Sequence, residues 1–217
     1  MEETRKTQEP CLFCDHEAIK KDILFPGRNF LIKIGIQIIT PGHIMIIPKK
    51  HYRCLGDLSP ELQEELEKLK EQTRKIVRQQ FSEPFWVEYG PGRQSIPHAH
   101  IHCLPLRGEG YALGSFIREI EPQLILEEGS WEKVREIRKQ GLSYIYIEEK
   151  GKKCLFPFEA STRGNGHFHY RDFFSRIKGA PGLADWKTAG KQEKKDDERK
   201  RERTKARLAE AFRSLAI

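Results

Sequence analysis

The chain has 217 residues, 37% apolar and 33% charged, with a formal net charge of +7. That length suits one ordinary domain with an appendage, or two small domains, and the positive balance favours anionic partners such as nucleotides, RNA or acidic lipid surfaces without choosing among them. Residues 1–10 are polar and charged rather than apolar, and no run approaches the ~18–20 apolar residues that span a bilayer, so no membrane association is expected and the location predicted is cytoplasmic (intracellular, not secreted). Cys11, Cys14, Cys54, Cys103 and Cys154 are odd in number, which argues against a disulfide framework. Cys11-x-x-Cys14 then reads as metal ligands or a redox pair.

In chain order, the β-branched run Phe30–Ile39 predicts a strand, Thr40-Pro41-Gly42 a turn, and His43–Ile47 a second strand closed by Pro48. Ser59-Pro60-Glu61 is a helix start, with a hydroxyl cap, proline in the first turn and an acid behind it. Leu62, Leu66, Leu69, Ile76 and Val77 follow at helical spacing, and the helix should end near Phe81, packed on a sheet. Phe85–Tyr89 is a short strand, Gly90-Pro91-Gly92 a turn, and His98–Leu104 a strand closed by Pro105. Residues 107–115 read as a glycine-rich loop and Trp131–Gln140 as a helix ended by Gly141. Leu142–Glu148 and Cys154–Phe158 form two more strands joined near Lys150-Gly151, and Arg171–Lys178 a further helix. From Lys187 to Ile217 there are eleven Lys or Arg and six Asp or Glu, read as an exposed charged helix or a disordered arm with a weak stripe of Leu208, Ala211, Phe212 and Leu215.

The chemistry concentrates in Gln94-Ser-Ile-Pro-His98-Ala-His100-Ile-His102-Cys-Leu104. Side chains alternate along a strand, so His98, His100 and His102 share one face while Ala99, Ile101 and Cys103 point into a core. Three imidazoles in that arrangement are a site rather than packing, for metal binding or nucleophilic catalysis.

Three blocks carry a resemblance to the histidine triad (HIT) superfamily: Cys11-Leu-Phe-Cys14, Pro41-Gly-His43-Ile-Met-Ile-Ile-Pro-Lys-Lys-His51, and Gln94 to Leu104. The resemblance covers about residues 11–106. It implies an α+β fold, a HIT-like antiparallel sheet of about five strands with packed helices. It also implies a nucleotidyl hydrolase or transferase acting at the α-phosphate of a nucleotide ester, anhydride or phosphoramidate. In that reading His100 is the nucleophile and forms a covalent nucleotidyl-histidine, and His102 contacts phosphate oxygens. Gln94 and Ser95 lie around the phosphate and leaving group. His43 either stands near the active histidine or is a turn residue at a strand start. Candidate substrates include dinucleoside polyphosphates, nucleoside phosphoramidates and capped or adenylylated ends. Zinc-containing members resemble the chain at Cys11, Cys14, His51 and His98, which implies a closed structural zinc site; the alternative is free thiols with His98 only hydrogen-bonded.

Two departures point to a branch. The stretch Ile34–Thr40 carries no acid where many relatives have an Asp for the ribose, and Glu88 stands near where many have Asn. That stretch, Glu88 and residues about 143–186 resemble the CwfJ family, which implies an RNA-linked role, although the chain keeps all three histidines where CwfJ members often have Gln at the third. The expected organisation is a nucleotide-binding catalytic domain over 9–125, a small α/β CwfJ-like extension over 126–186 and a basic tail over 187–217. RNA is an expected partner through the basic C-terminal region, and the rival to an enzyme is an RNA-associated binding module without turnover. Relatives imply a homodimer, unless the extension covers the dimer surface in place of a second subunit. His167 and His169 are either exposed imidazoles or a second phosphate or RNA contact beside Arg163 and Arg171.

Overall fold

The computed structural model describes residues 11–106, 127–159 and 190–215. The fold is α+β. Among the described residues eight strands form one sheet: β1 (Ile23–Pro26), β2 (Phe30–Ile34), β3 (Ile44–Pro48), β4 (Pro84–Tyr89), β5 (Ile101–Pro105), β6 (Glu127–Glu128), β7 (Ser143–Glu149) and β8 (Lys152–Phe158). Their order is β1-β2-β3-β5-β4-β7-β8-β6, and every pairing is antiparallel. The sheet is larger than the expected five or so strands: β1 is not among the strands read from the sequence, and β6–β8 lie in the region expected as an extension. These last three do not form a separate layer but continue the sheet, because β7 pairs along the outer side of β4 from Phe85↔Glu149 to Tyr89↔Ile145.

Among the described residues four α-helices accompany the sheet: α1 (His16–Ile19), α2 (Pro60–Gln80), α3 (Trp131–Lys139) and α4 (Lys191–Arg213). The α2 start is as read: Ser59 accepts from the Leu62 amide and Pro60 opens the helix, a cap worth about 1 kcal/mol. Buried Leu66, Leu69 and Val77 pack on Ile32, Ile44, Ile46, Trp86, Ala99 and Ile101 in the main core. The β7–β8 turn has Lys150 and Gly151 at φ 50° and 80°, the left-handed pair of a tight hairpin.

Three expectations change. The Phe30–Ile39 strand stops at Ile34, because Gln37 adopts φ 43° and breaks the extended ladder. The His98–Leu104 strand begins only at Ile101, since β3 offers ladder partners only to Ile101, His102 and Cys103. His98–His100 lie outside the ladder and are held by other bonds: the His98 amide donates to the Ile96 carbonyl at 2.8 Å and the Ala99 amide to the Tyr52 carbonyl at 2.7 Å. The tail is neither a free arm nor a fully solvated helix. Thr204, Leu208 and Phe212 of α4 are buried, the last two within the main core, and the helix packs on β1, β2 and α2. The apolar stripe, weak in a charged sequence, is sufficient to dock it.

The loop read at 107–115, the helix at 171–178 and the His167–His169 pair lie outside the described residues.

Candidate active site and metal cluster

The site grows from two turns and one strand. Cys11–Cys14 form a turn closed by the Cys14 amide donating to the Cys11 carbonyl at 3.0 Å, and Asp15 caps α1 by accepting from the Ala18 amide. The turn presents both thiols on one side and sinks Phe13 into the sheet, where its ring lies 5.8 Å from His98 and 5.3 Å from His100, both edge-on. Phe13, Met45, Ile47 and Ile96 form a small core on this face, opposite the helical face.

Cys11, Cys14, His51 and His98 come together. Cys11 Sγ lies 3.3 Å from His98 Nδ1, and Cys14 Sγ lies 3.3 Å from His51 Nδ1 and 3.5 Å from His98 Nδ1. All four ligand atoms fall within 4.8 Å of one another. A tetrahedron with metal–ligand bonds of ~2.0–2.3 Å has edges of about 3.3–3.8 Å, so two thiols and two imidazoles at these separations fit a closed four-coordinate metal. His98 Nε2–H donates to the Pro48 carbonyl at 2.9 Å, which leaves Nδ1 as the lone-pair atom facing the thiols.

His100 is oriented by the same residue. Its Nδ1 lies 2.7 Å from the His98 carbonyl oxygen. A carbonyl only accepts, so Nδ1 carries the proton and Nε2 keeps a lone pair. Burial pushes the imidazolium pKa down to about 4, with opposing help from the His98 carbonyl and further lowering by the Lys33 charge. The ring is therefore neutral near pH 7.

His102 is set by His43. The Ile39 amide points at His43 Nδ1 at 3.5 Å, and His43 Nε2 lies 3.1 Å from His102 Nδ1. An amide can only donate, so His43 Nδ1 accepts, Nε2–H donates onward, and His102 in its neutral form carries its proton on Nε2. The His100 and His102 rings stand 4.8 Å apart. One ring thus offers a lone pair and its neighbour an N–H, a nucleophile beside a donor. Gly35 is fixed by this arrangement: a Cβ there would lie 3.0 Å from three atoms of the His43 ring.

Of the other expected residues, Gln94 is half-buried and Ser95 exposed. Gln94 Nε2 is buried with no acceptor among the described residues, and no hydrogen bond there ties either residue to the histidines. Glu88 is not at the site. It lies in the main core, accepting from the Leu55 amide at 2.7 Å and from the Tyr144 hydroxyl at 2.6 Å.

The sequence reading missed the underside of the site. The loop 35–42 leading to His43 is fastened by α4: Asp197 accepts from the Ile38 amide, Arg201 donates to the Gly35 carbonyl, and Thr204 accepts from the Gly42 amide at 2.9 Å. Nothing local in a charged helix signals such contacts. Lys33 was also missed, though a lone charge within Phe30-Leu-Ile-Lys-Ile34 is a visible signal.

The HIT domain family model matches residues 17–109. Human CWF19-like protein 1 is 24% identical over 155 residues, 68% of this chain and 28% of that protein. Adenosine 5'-monophosphoramidase hnt1 of Schizosaccharomyces pombe is 30% identical over 111 residues, 48% of this chain and 80% of that protein. Among solved structures, a zinc-bound histidine triad family protein from Mycobacterium smegmatis aligns with a TM-score of 0.39 and 24% identity, over 46% of this chain and 78% of that one. A HIT family protein from Bacillus anthracis aligns with a TM-score of 0.43 and 22% identity, over 62% of this chain and 96% of that one.

Proposed function

The chain belongs to the HIT domain family, and from that premise we propose that it is a nucleotidyl hydrolase or transferase with His100 as nucleophile. One observation carries the reading: Nδ1 of His100 is tied to the His98 carbonyl, so a neutral ring keeps its Nε2 lone pair. Nε2 attacks the α-phosphorus of a nucleotide ester, anhydride or phosphoramidate, and the leaving group departs with the bonding pair. The ring becomes cationic on forming the N–P bond, and the His98 carbonyl opposite Nδ1–H stabilises that charge. His102 Nε2–H hydrogen-bonds a phosphate oxygen, and His43 holds His102 in the tautomer that can do so. Water or another acceptor then attacks phosphorus, and the N–P electrons return to Nε2. Gln94 and Ser95 are assigned to the phosphate and leaving group; the buried Gln94 amide nitrogen, without an acceptor among the described residues, supports this for Gln94.

In the same reading, zinc is held by Cys11, Cys14, His51 and His98. When bound, it supplies a closed structural centre rather than Lewis-acid chemistry. The N-terminal turn and the His98 main chain then hold His100 in place.

The test is incubation with adenosine 5'-monophosphoramidate and with diadenosine polyphosphates, followed by intact-mass measurement. A nucleotide adduct is expected on His100 and none on His100→Ala with the fold retained. Unchanged turnover by that variant overturns the assignment.

A second reading, an RNA-associated binding module, is favoured by one feature. Lys191, Lys195, Arg199 and Arg203 recur every fourth residue of α4 and are exposed, which lines four cations along one helical face. Truncating α4 is a poor test, because Leu208 and Phe212 belong to the core. Replacing Lys191, Lys195 and Arg203 by Gln in the full chain should abolish a salt-sensitive gel shift with single-stranded RNA. RNA binding lost in this variant, with no nucleotide turnover by the parent chain, favours this reading over catalysis.

A further inference from the structure

Lys33 is an ammonium in an apolar strand, 0% exposed, with one hydrogen-bond acceptor among the described residues, the Ile34 carbonyl. Among the described residues no carboxylate lies within 4.0 Å of it. Asp22 and Asp197 are near enough to be felt but are engaged by Arg201, and burial pulls the Lys33 pKa down to about 8. A buried charge with one neutral acceptor is costly, so chains keep one where an anion completes it.

Its position gives that anion a context. Ile32 and Ile34 point into the main core, so Lys33 points to the opposite face. In register, Lys33 pairs with Met45 and Met45 with His102. Lys33 and His102 therefore stand in one row of the face that carries the histidines, two strand spacings or about 10 Å apart at the backbone. Phe13 lies between Lys33 and the central histidine, with its ring 5.9 Å from Lys33 Nζ and 5.3 Å from the His100 ring. The Lys33 charge also contributes to lowering the His100 imidazolium pKa. Beside Lys33 opens a cavity of about 350 Å³, walled by Leu12, Ile36 and Gln37 and by Lys194, Asp197 and Arg201 of α4. Its two acids, Asp22 and Asp197, share Arg201, and with Lys33, Lys194 and Lys21 the lining keeps four cations against two carboxylates, a net positive charge.

We infer that Lys33 and this cavity form a subsite for a second phosphate of the substrate, set apart from the phosphorus that His100 attacks, so that the chain selects nucleotides bearing two phosphates over nucleoside monophosphate derivatives. This rests on the catalytic reading above for the place of the first phosphate. One phosphate cannot bridge two strand spacings, whereas a nucleotide with a phosphate at either end of its sugar, or a polyphosphate chain, reaches further. Lys33 is in this account a specificity-determining residue.

Equilibrium binding by the full chain separates these sources, with AMP as the reference, ADP for a second phosphate in anhydride linkage, and adenosine 3',5'-bisphosphate for one on the sugar. At least one of the two should bind about 10- to 100-fold tighter than AMP, the range of one charge-assisted contact. Lys33→Met, which keeps the length without the charge, should erase that preference while leaving AMP affinity within about threefold. Equal affinity for all three ligands, or a preference that survives Lys33→Met, overturns the inference. If Lys33→Met does not fold, the preference of the unaltered chain decides. The two proposals fail separately: a bisphosphate preference without any adduct on His100 sinks the catalytic reading alone, and an adduct without the preference sinks the subsite alone.

Discussion

The backbone carbonyl of His98 accepts a 2.7 Å hydrogen bond from His100, while the ring of the same His98 turns Nδ1 towards the thiols of Cys11 and Cys14. One residue therefore belongs to both the candidate metal cluster and the candidate nucleophile. Stripping the metal should reach the chemistry through the main chain. Metal analysis of the purified protein should find zinc. Chelation, or Cys14→Ser, should lower stability by several kcal/mol and reduce turnover more than substrate affinity. Full turnover by metal-free protein contradicts the arrangement.

Gly35 gives a more local test. Its missing Cβ makes room for the His43 ring, with three ring atoms at 3.0 Å from where that carbon would be. Gly35→Ala must push the ring and, through the 3.1 Å contact, His102. Displacements of this order near reacting groups cost about 10- to 100-fold. The loss should appear in kcat, with thermal unfolding nearly unchanged. A variant with normal kcat would show that His43 does not govern His102.

Glu88 predicts a pH dependence of stability. Burial pushes its carboxyl pKa up to about 8, against partial lowering by the Leu55 amide and the Tyr144 hydroxyl. In the unfolded chain the group titrates near ~4.3. Between these values the folded state holds the proton and the unfolded state does not. Stability from this group is thus full below about pH 4 and is lost progressively as pH rises to about 8. Glu88→Gln should remove a few kcal/mol of that decline. Chemical denaturation at pH 5 and pH 8 measures it: the parent should lose more than the variant over that interval, and parallel behaviour rejects the assignment.

Thr204 tests the clamp of α4 on the loop before His43. Its hydroxyl oxygen accepts from the buried Gly42 amide at 2.9 Å. Gly42 itself adopts φ 90°, with Phe81 and Pro105 close around it. Thr204→Val keeps the shape and strands that amide, a loss of about 1–3 kcal/mol. The midpoint of unfolding should fall by that amount; an unchanged midpoint means the helix does not hold the loop.

Much of this architecture is legible in the sequence because local signals agree with the fold. Ser59-Pro60 starts α2 where the cap chemistry demands, and the alternation around His98–His102 sends Ala99, Ile101 and Cys103 to the main core as expected. The set Cys11, Cys14, His51 and His98 is what the resemblance to zinc-containing HIT proteins implies, and the folded chain brings the four within ligand distance. Long-range partnership is what a linear reading loses. Glu88 stands in a strand like any buried acid until Leu55 and Tyr144 are seen donating to it. Asp197, Arg201 and Thr204 look like solvated helix until the loop they grip, some 160 residues earlier, is beside them.

The seam between β4 and β7 has a practical corollary. Six residues of β4, all buried, have β5 on one flank and β7 on the other. The family model ends at residue 109, yet a fragment cut there would bare a long hydrophobic strand rim, the kind of surface that recruits other chains into aggregates. The unit that the family model matches is thus smaller than the unit whose strand rim is covered, and expression boundaries should run past Phe158 and include α4.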